Sequence, residues 1–501
     1  MTNPQSQLDP PDSTAADAPG ALRTRRPPIL HYFTRQKKFL ASQPASIAIL
    51  LSLAVPAIAE SFINALIGIT DTVVAGHTGI TDAQREAASG AIGTMTYLQW
   101  LAGLMVSAFG AGATAIVARS VGARRTRVAN RVAGTACSGA FVVGVVTAIL
   151  FFAFAGPIVR AIGLKDLAAS YGQQYLQIMA VTIFIQSASQ IGMACLRGAG
   201  DTVSPMLVTL AVSIVNLVTS PALTFGWFGL PAMGVRGNAL GTMLAFLVSG
   251  CITLYMLLTS KGSLRLEPRH FRIVPHVLVR IVRIGLPSWF ENMLLWSGQF
   301  VIVIFVVNET DKALGSGVTM AAHNATLRIE SLAFMPGFAF GIAAGAMVGQ
   351  YLGAKNLAEA RHAALLARRM GVVTMTLAAL PMVLFPSFLL GLMVQSDKVV
   401  AAGGWPLVLA GLAQPGFAFA ICMGGALRGA GDTFWPMIST LVGMFVVRLP
   451  LVLGLSWYFR THGHPELGLL AVWIGIFVDL LYRGIQNTVV FLRGKWMTIK
   501  V

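Results

Sequence analysis

Charged side chains are scarce in this 501-residue sequence, and acidic ones are the scarcest. Asp, Glu, Lys and Arg together make up 11% of the residues, whereas they make up about 25% of an ordinary soluble protein. Only 19 residues are acidic and 36 are Lys or Arg, so the formal net charge is +17. Hydrophobic residues reach 55% and the mean hydropathy is +0.73. This composition excludes an ordinary soluble enzyme and indicates a membrane protein that crosses the bilayer many times.

Cysteine clusters and catalytic motifs are missing as well. The four cysteines have no CxxC spacing, so neither a disulfide framework nor a metal centre is predicted from them. HExxH and GxSxG do not occur, and the eight histidines are dispersed. We therefore predict that the protein is not an enzyme and has no cofactor. Loop charges that orient membrane helices account for the basic excess, so no nucleic-acid partner is expected.

The apolar stretches are each long enough for the ~20 residues that a spanning helix needs. They predict an all-α polytopic membrane protein with twelve transmembrane helices. The predicted spans lie near residues 46–76, 89–117, 132–158, 171–196, 203–226, 233–258, 285–307, 317–348, 363–391, 401–427, 434–457 and 468–492.

The sequence contains an internal duplication with an offset of 231 residues. Pro56 and Glu60 recur as Pro287 and Glu291, and RGAGDT at 197–202 recurs at 428–433. A period this long indicates a duplicated half rather than a solenoid. The sequence therefore predicts two homologous lobes of six helices each.

The domain boundaries follow from these spans and from the polar segments between them. A Pro-, Ala-, Ser- and Asp-rich tail is predicted to be largely disordered, and a basic, amphipathic connector is predicted to form a surface helix between the lobes. The predicted segments are an N-terminal tail at 1–45, a first lobe at 46–258, a linker helix at 259–284, a second lobe at 285–492 and a C-terminal tail at 493–501.

The distribution of Lys and Arg predicts the orientation. The two tails and the loops after every second helix hold 26 of the 36 basic residues, and the opposite loops hold seven. Because positive loops stay in the cytoplasm, both termini are predicted to be cytoplasmic. The RGAGDT turns read as tight cytoplasmic turns in which Asp201 and Asp432 cap the following helices. Arg197 and Arg428 are expected at the lipid headgroups.

Only five acidic residues lie inside predicted spans, where a charge is costly and therefore indicates function. Asp479 is followed one helical turn later by Arg483, which predicts a structural ion pair. Glu330 has no cation on its own helix face. Glu60, Asp71 and Glu291 are the candidates for carrying a coupling ion; the alternative is that each only holds the helix bundle together through hydrogen bonds.

These motifs in combination resemble those of the multidrug and toxic compound extrusion (MATE) family. The likeness covers about residues 46–492 and includes PAIAES with TDTVVAGHTG, both RGAGDT turns, and HNATLRIESLAFMPGFAFGIAA followed by VGQYLGA. The resemblance implies two six-helix lobes in a V shape around a central cavity. It also implies antiport, in which an organic and often cationic compound leaves as H⁺ or Na⁺ enters.

The resemblance also implies site residues. Asp71 matches the aspartate of the family's first helix, and Asn216 and Thr242 match two further members of an ion-responsive cluster that holds either a proton or Na⁺. Ser220 stands where the family often has an aspartate, which leaves the preferred ion open. Asn64 lies on the same helix face as Glu60 and Asp71 and is included with the ion-coupling candidates.

Aromatic, Met and amide side chains in the second, seventh and eighth spans are candidates for the substrate cavity, because such surfaces suit flat organic cations. Each is an alternative helix-packing residue. The candidates are Tyr97, Gln99, Trp100, Trp289, Phe290, Phe334, Met335 and Phe338.

The predicted function is secondary active export of organic, cationic drugs or toxic metabolites from a bacterium, across its inner membrane. The expected partners are a small organic substrate and the lipid bilayer, and the expected state is a monomer. The alternative is a flippase for lipid-linked precursors, since relatives with a similar lobed fold do that. An anionic headgroup would call for several cations inside the spans, and only Arg328, Arg448 and Arg483 are there.

Overall fold

Helices make up almost all of the computed structural model, which describes residues 42–79, 81–259, 264–314 and 317–499. No strand occurs among these residues. The long helices are α1 (Ile47–Gly76), α2 (Asp82–Gly122), α3 (Thr126–Ala153), α4 (Asp166–Gly198), α5 (Val203–Phe225), α6 (Val235–Thr259), α7 (Pro275–Ile302), α8 (Val318–Gly353), α9 (Leu357–Leu384), α10 (Asp397–Gly429), α11 (Phe434–Thr461) and α12 (Gly468–Leu492).

Shorter helical pieces extend or interrupt several of the long ones. Ala155–Ala161 follows α3, Asn308–Leu314 follows α7 and Pro386–Met393 follows α9. One π-helical stretch, Val303–Val307, continues α7. A second, Gly443–Arg448, interrupts α11 and is important for the polar network described below.

The long helices are apolar enough to cross a bilayer. Eleven segments of the described chain pass tests of length and hydropathy outright, and α2 passes as a twelfth with a 40° bend between Leu104 and Val106. This confirms the predicted all-α polytopic protein with twelve spans. The predicted tail at residues 1–41 lies outside the described residues.

The helices divide into two groups of six that follow the duplication. In the first group α2, α3 and α6 pack on α4, and α5 packs on α6; in the second, α8, α9 and α12 pack on α10. The groups also exchange contacts, since α2 packs on α7 and α8 packs on α1. A core cluster accordingly joins Leu50 and Leu53 of α1 to Met347 of α8 and Cys422 of α10.

The segment between the two halves differs from the prediction. Residues 264–267 have no regular structure, Pro268–Phe271 is a short 3-10 helix, and α7 begins at Pro275. Asn130 of α3 donates a hydrogen bond to Arg265 O (2.7 Å), and Ser138 of the same helix donates one to Phe271 O (2.6 Å). The predicted linker helix at 259–284 is therefore absent from residues 264–267. Residues 275–284 are the first turns of α7, because proline favours the first position of a helix.

The C-terminal ends of α2 and α8 cross at the junction between the halves. A Cβ added at Gly122 would overlap Gln350 O, and one added at Gly353 would overlap Arg119 O. These contacts are related by the offset of 231 residues, since Gly122 matches Gly353 and Arg119 matches Gln350. Two glycines therefore let the two backbones meet at this end of the molecule.

Both ends of the described chain cross this junction. Ala45 N donates to Glu359 Oε2 of α9 (2.6 Å), and Tyr351 Oη of α8 donates to Gln43 O (3.0 Å). In the opposite direction, Arg119 Nη1 of α2 donates to Ile499 O (2.6 Å). The segment before α1 is thus tied to the second half, and the segment after α12 is tied to the first half.

Candidate functional site

Asp71 lies in a cluster of neutral polar side chains between α1, α5 and α6. Its Oδ1 lies 3.3 Å from Asn216 Nδ2 and 3.4 Å from Thr242 Oγ1, and both groups act as donors. Asn216 Nδ2 also lies 3.2 Å from Thr242 Oγ1 and 3.3 Å from Ser220 Oγ. The structure therefore brings together the three residues that the resemblance assigns to an ion-responsive cluster.

The cluster is buried apart from Asp71 itself, which is half-buried. Asn216, Ser220 and Asn238 are fully buried, and Tyr175 of α4 interacts with both Asp71 and Thr242. Asn216 Oδ1 and both side-chain amide atoms of Asn238 are buried without a hydrogen-bond partner in the described chain. Unpaired buried oxygens beside a carboxylate are costly, and they are the ligand type that hard cations such as Na⁺ take.

Glu60 has a different environment, because Arg197 Nη1 donates to its Oε1 at 2.6 Å. The pair joins α1 to the end of α4. It faces a cavity of about 510 Å³ within the first half, which is also lined by Asn64, Gln186 and Gln190. Glu60 and Asn64 thus share a cavity that Asp71 does not line.

Glu291 repeats this arrangement in the second half. Arg428 Nη1 lies 3.1 Å from both carboxylate oxygens of Glu291. The two ion pairs are related by the offset of 231 residues, and each joins residues 137 positions apart. The expectation that Arg197 and Arg428 lie at the headgroups is therefore wrong, since each neutralises an acid on the first helix of its own half. The shared offset of both partners is a sequence signal that would have identified these pairs.

Asp201 and Asp432 cap the helices that follow the RGAGDT turns, as the sequence predicts. Ser204 N donates to Asp201 Oδ1 at 2.9 Å, and Trp435 N donates to Asp432 Oδ1 at 3.4 Å. Burial raises the pKa of the Asp432 carboxyl above its usual range, although the backbone N–H groups of Trp435 and Phe434 act in the opposite direction.

Asp479 binds two arginines rather than one. Arg483 Nε donates to Asp479 Oδ1 at 2.7 Å, and Arg448 Nη2 lies 2.6 Å from Asp479 Oδ2. Arg448 on α11 is the partner that sequence reasoning missed, because its helix is 31 positions away from Asp479 in sequence. The network continues from Arg483 through Thr440 Oγ1 to Glu291 Oε1, with distances of 3.4 and 3.3 Å.

The π-helical stretch of α11 creates the space for these groups. Gly443 begins the stretch and Arg448 ends it. A Cβ added at Gly443 would overlap Asp479 Oδ1 and would lie 2.8 Å from Arg483 Nε. The absence of a side chain at Gly443 thus lets α12 bring its ion pair against α11.

Glu330 finds its partners on other helices, as its sequence context requires. Gln414 Nε2 of α10 lies 3.5 Å from Glu330 Oε1, and Arg448 attracts the carboxylate electrostatically. The carboxylate is almost completely buried. Glu330 therefore joins the polar network of the second half.

The predicted cavity residues of the second half form two aromatic groups. Phe334 and Phe338 of α8 pack edge-on with each other and with Phe417 of α10, with ring centroids 5.5 to 6.2 Å apart. Trp289 and Phe290 of α7 pack with centroids 4.9 Å apart. Phe290 and Phe338 are exposed, so part of each aromatic surface is available for contact.

The remaining cavity predictions lie elsewhere. Met335 is half-buried on α8, and Gln99 of α2 has a buried Nε2 without a hydrogen-bond partner in the described chain. The side chains of Tyr97 and Trp100 lie outside the described part of the structure. None of the predicted substrate-cavity residues lines the 510 Å³ cavity.

A metal centre built from charged ligands is absent from the described residues, since no group of three or more His, Cys, Asp or Glu side chains converges there. The Asp71 cluster offers one carboxylate surrounded by neutral oxygens and nitrogens. Chemically, this set suits a proton or a single monovalent cation and does not suit a transition metal.

Comparison with known sequences shows relatives along almost the whole chain. "Probable multidrug resistance protein NorM" of Thermotoga maritima is 29% identical over 450 residues, which cover 89% of this chain and 92% of that protein. "Uncharacterized transporter YisQ" of Bacillus subtilis is 26% identical over 397 residues, which cover 79% and 84%.

Solved structures share the fold. An outward-facing multidrug resistance MATE family transporter of the MOP superfamily superposes with a TM-score of 0.78 at 21% identity, covering 93% of this chain and 98% of that one. The bent form of the MATE transporter VcmN from Vibrio cholerae gives a TM-score of 0.77 at 17% identity, covering 92% and 98%. The two-lobe architecture is therefore that of these transporters.

A family model places the chain. The model described as MatE matches twice, at residues 56–222 and 287–453, and the two matches have the offset of 231 residues that the sequence repeat has. Together the matches cover more than half of the chain. This protein belongs to the MATE family of multidrug transporters.

Proposed function

We propose that this transporter is a secondary active exporter of organic cations, driven by inward H⁺ or Na⁺, and that Asp71 carries the coupling ion. One observation carries the proposal. Four of the five acids inside the spans face an arginine, whereas the hydrogen bonds of Asp71 come from the neutral groups of Asn216 and Thr242. A carboxylate with neutral partners is free to exchange a proton or Na⁺ without breaking an ion pair.

Coupling requires that the ion binds one conformation better than the other. Asn216, Thr242 and Ser220 lie on α5 and α6 while Asp71 lies on α1, so the cluster senses the relative position of these helices. Neutralising Asp71 removes the charge that the neighbouring donors stabilise. The helices then rearrange, and the substrate is released on the outer side.

Either ion suits the cluster. A proton needs only the Asp71 carboxylate, and Na⁺ is also offered the oxygens of Thr242 and Asn216. Glu60, Glu291 and Asn64 remain further candidates for ion coupling, although Glu60 and Glu291 must first release Arg197 and Arg428. A substrate cation is expected at the exposed aromatic surfaces of Phe290 and Phe338.

The same proposal places the protein in the inner membrane of a bacterium as a monomer with cytoplasmic termini. The distribution of Lys and Arg supports this orientation. The flippase alternative receives less support, because Arg448 and Arg483 are both held by Asp479 and so are not free for an anionic headgroup.

Efflux of a fluorescent organic cation from proteoliposomes tests the proposal. A proton gradient and a sodium gradient are imposed separately on the wild type, on Asp71→Asn and on Asp397→Asn, which removes an exposed acid at the start of α10. We expect one gradient to drive efflux in the wild type and in Asp397→Asn, and Asp71→Asn to lose it. Gradient-driven efflux that survives in Asp71→Asn contradicts the assignment of the ion to Asp71.

A further inference from the structure

A second cavity, of about 410 Å³, opens at the junction of the two halves, where α2 and α8 end. Each half contributes the residues that follow its helix end, and the segment before α1 contributes one residue. The lining residues are Ser42, Gly122, Ala123, Arg124, Arg125, Gly353, Ala354 and Lys355.

The charge of this cavity has one sign. Three of the eight lining residues are basic and none is acidic, and all eight belong to the described part of the chain. Arg124, Arg125 and Lys355 are exposed. The C-terminal ends of α2 and α8 carry partial negative charge, so the helix ends alone would repel an anion. The basic side chains are therefore what makes the cavity attractive to anions.

The backbone at this cavity is unusual in the same way in both halves. Arg124 has φ +57° and Lys355 has φ +62°, and these two residues are related by the offset of 231. This left-handed conformation after a helix end is usually occupied by glycine. The chain does use glycine at the comparable ends of α4 and α10, where Gly200 and Gly431 have φ +87° and +88°.

We propose that this cavity binds the phosphate group of an anionic lipid or of a soluble phosphate compound. Arginine offers a fork of N–H donors that fits phosphate oxygens, and lysine adds a point charge. Cations held in a strained backbone position in both halves, around a cavity without acids, are consistent with a ligand that needs both of them.

The location gives the ligand a consequence for transport. Arg124 and Arg125 belong to the first half and Lys355 to the second, so one bound phosphate group contacts both halves. Such a ligand binds the conformation in which α2 and α8 meet better than one in which they separate. It therefore favours the conformation in which this end of the protein is closed.

Replacement by glycine tests the proposal without straining the fold. The variant Arg124→Gly/Lys355→Gly removes two cations at positions whose φ glycine adopts more readily than any other residue. The matched control Arg127→Gln/Arg361→Gln removes two exposed cations from the first turns of α3 and α9, outside the cavity lining.

Two ligands are compared in detergent solution. Native mass spectrometry measures the affinity for the first phosphatidylglycerol against phosphatidylcholine, and thermal unfolding measures the effect of inorganic phosphate at constant ionic strength. We expect the wild type and the control to prefer phosphatidylglycerol, and the glycine variant to lose roughly ten- to thirtyfold in affinity for it.

Inorganic phosphate distinguishes the source of the ligand. A phosphate-dependent rise in the unfolding temperature of the wild type, absent from the glycine variant, supports recognition of the phosphate group itself. Loss of lipid preference in the glycine variant without any response to phosphate supports a lipid headgroup. The proposal is overturned if the glycine variant behaves as the wild type does with both ligands, or if the control loses as much as the glycine variant.

Discussion

At the scale of single residues, two aspartates inside the spans differ in what holds them. Asp479 is fully buried and binds Arg448 and Arg483, whereas Asp71 is half-buried and accepts hydrogen bonds from neutral groups. Removing the charge of Asp479 leaves two buried cations without compensation. Removing the charge of Asp71 leaves none. The two acids should therefore separate into a structural group and a functional group.

We predict that Asp479→Asn destabilises the protein by about 3–5 kcal/mol, the usual cost of breaking a buried ion pair from one side. Asp71→Asn should cost no more than about 1 kcal/mol, the contribution of an ordinary hydrogen bond. Thermal unfolding of the purified variants in detergent measures both effects. Equal losses of stability would show that Asp71 is as structural as Asp479.

At the scale of helices, the π-helical stretch of α11 determines how α12 packs. Gly443 lies where a side chain would occupy the space of the Asp479 carboxylate, and Arg448 lies at the other end of the stretch and reaches the same carboxylate. π-Helical turns often accompany functional sites because they redirect side chains. Here the turn directs Arg448 towards the acid of the neighbouring helix.

We predict that Gly443→Ala destabilises the protein by about 1–3 kcal/mol, because the added methyl group forces the ion pair or the helix to move. Gly454→Ala is the matched control on the same helix, since a Cβ there meets no atom within 4 Å. The difference in unfolding temperature between the two variants measures the effect. Identical unfolding of both variants would mean that α11 and α12 adjust without cost.

At the scale of the whole molecule, the two halves meet through backbone at the ends of α2 and α8. The contacts at Gly122 and Gly353 have no room for a Cβ. Alternating access requires that such contacts form in one state and open in another. A methyl group at this junction should therefore act on the balance between conformations.

We predict that Gly122→Ala moves the two halves apart at this end. Spin labels at the exposed positions Arg127 and Arg361, in a background without the four cysteines, report the separation by pulsed electron paramagnetic resonance. The distance distribution should shift to longer values in Gly122→Ala. It should stay unchanged in Gly90→Ala, where a Cβ on the same helix meets no atom within 4 Å. An unchanged distribution in Gly122→Ala would show that the junction does not limit closure.

The sequence by itself determined the helical class, the twelve spans and the duplication. Each depends on local composition or on a repeat along the chain, and burying polar backbone in a bilayer leaves the helix as the available form for apolar segments of this length. The family motifs also singled out Asp71, Asn216 and Thr242, which the structure then brings within hydrogen-bond distance.

Only the tertiary structure decided the partners of the buried acids. Arg197 binds Glu60 across 137 positions, and Arg448 reaches Asp479 from a separate helix. These pairings depend on how helices rotate and cross, which the apolar pattern of a membrane span does not specify because nearly every face is apolar. The same reason applies to the junction at Gly122 and Gly353, where the close approach of two backbones leaves no trace in hydropathy.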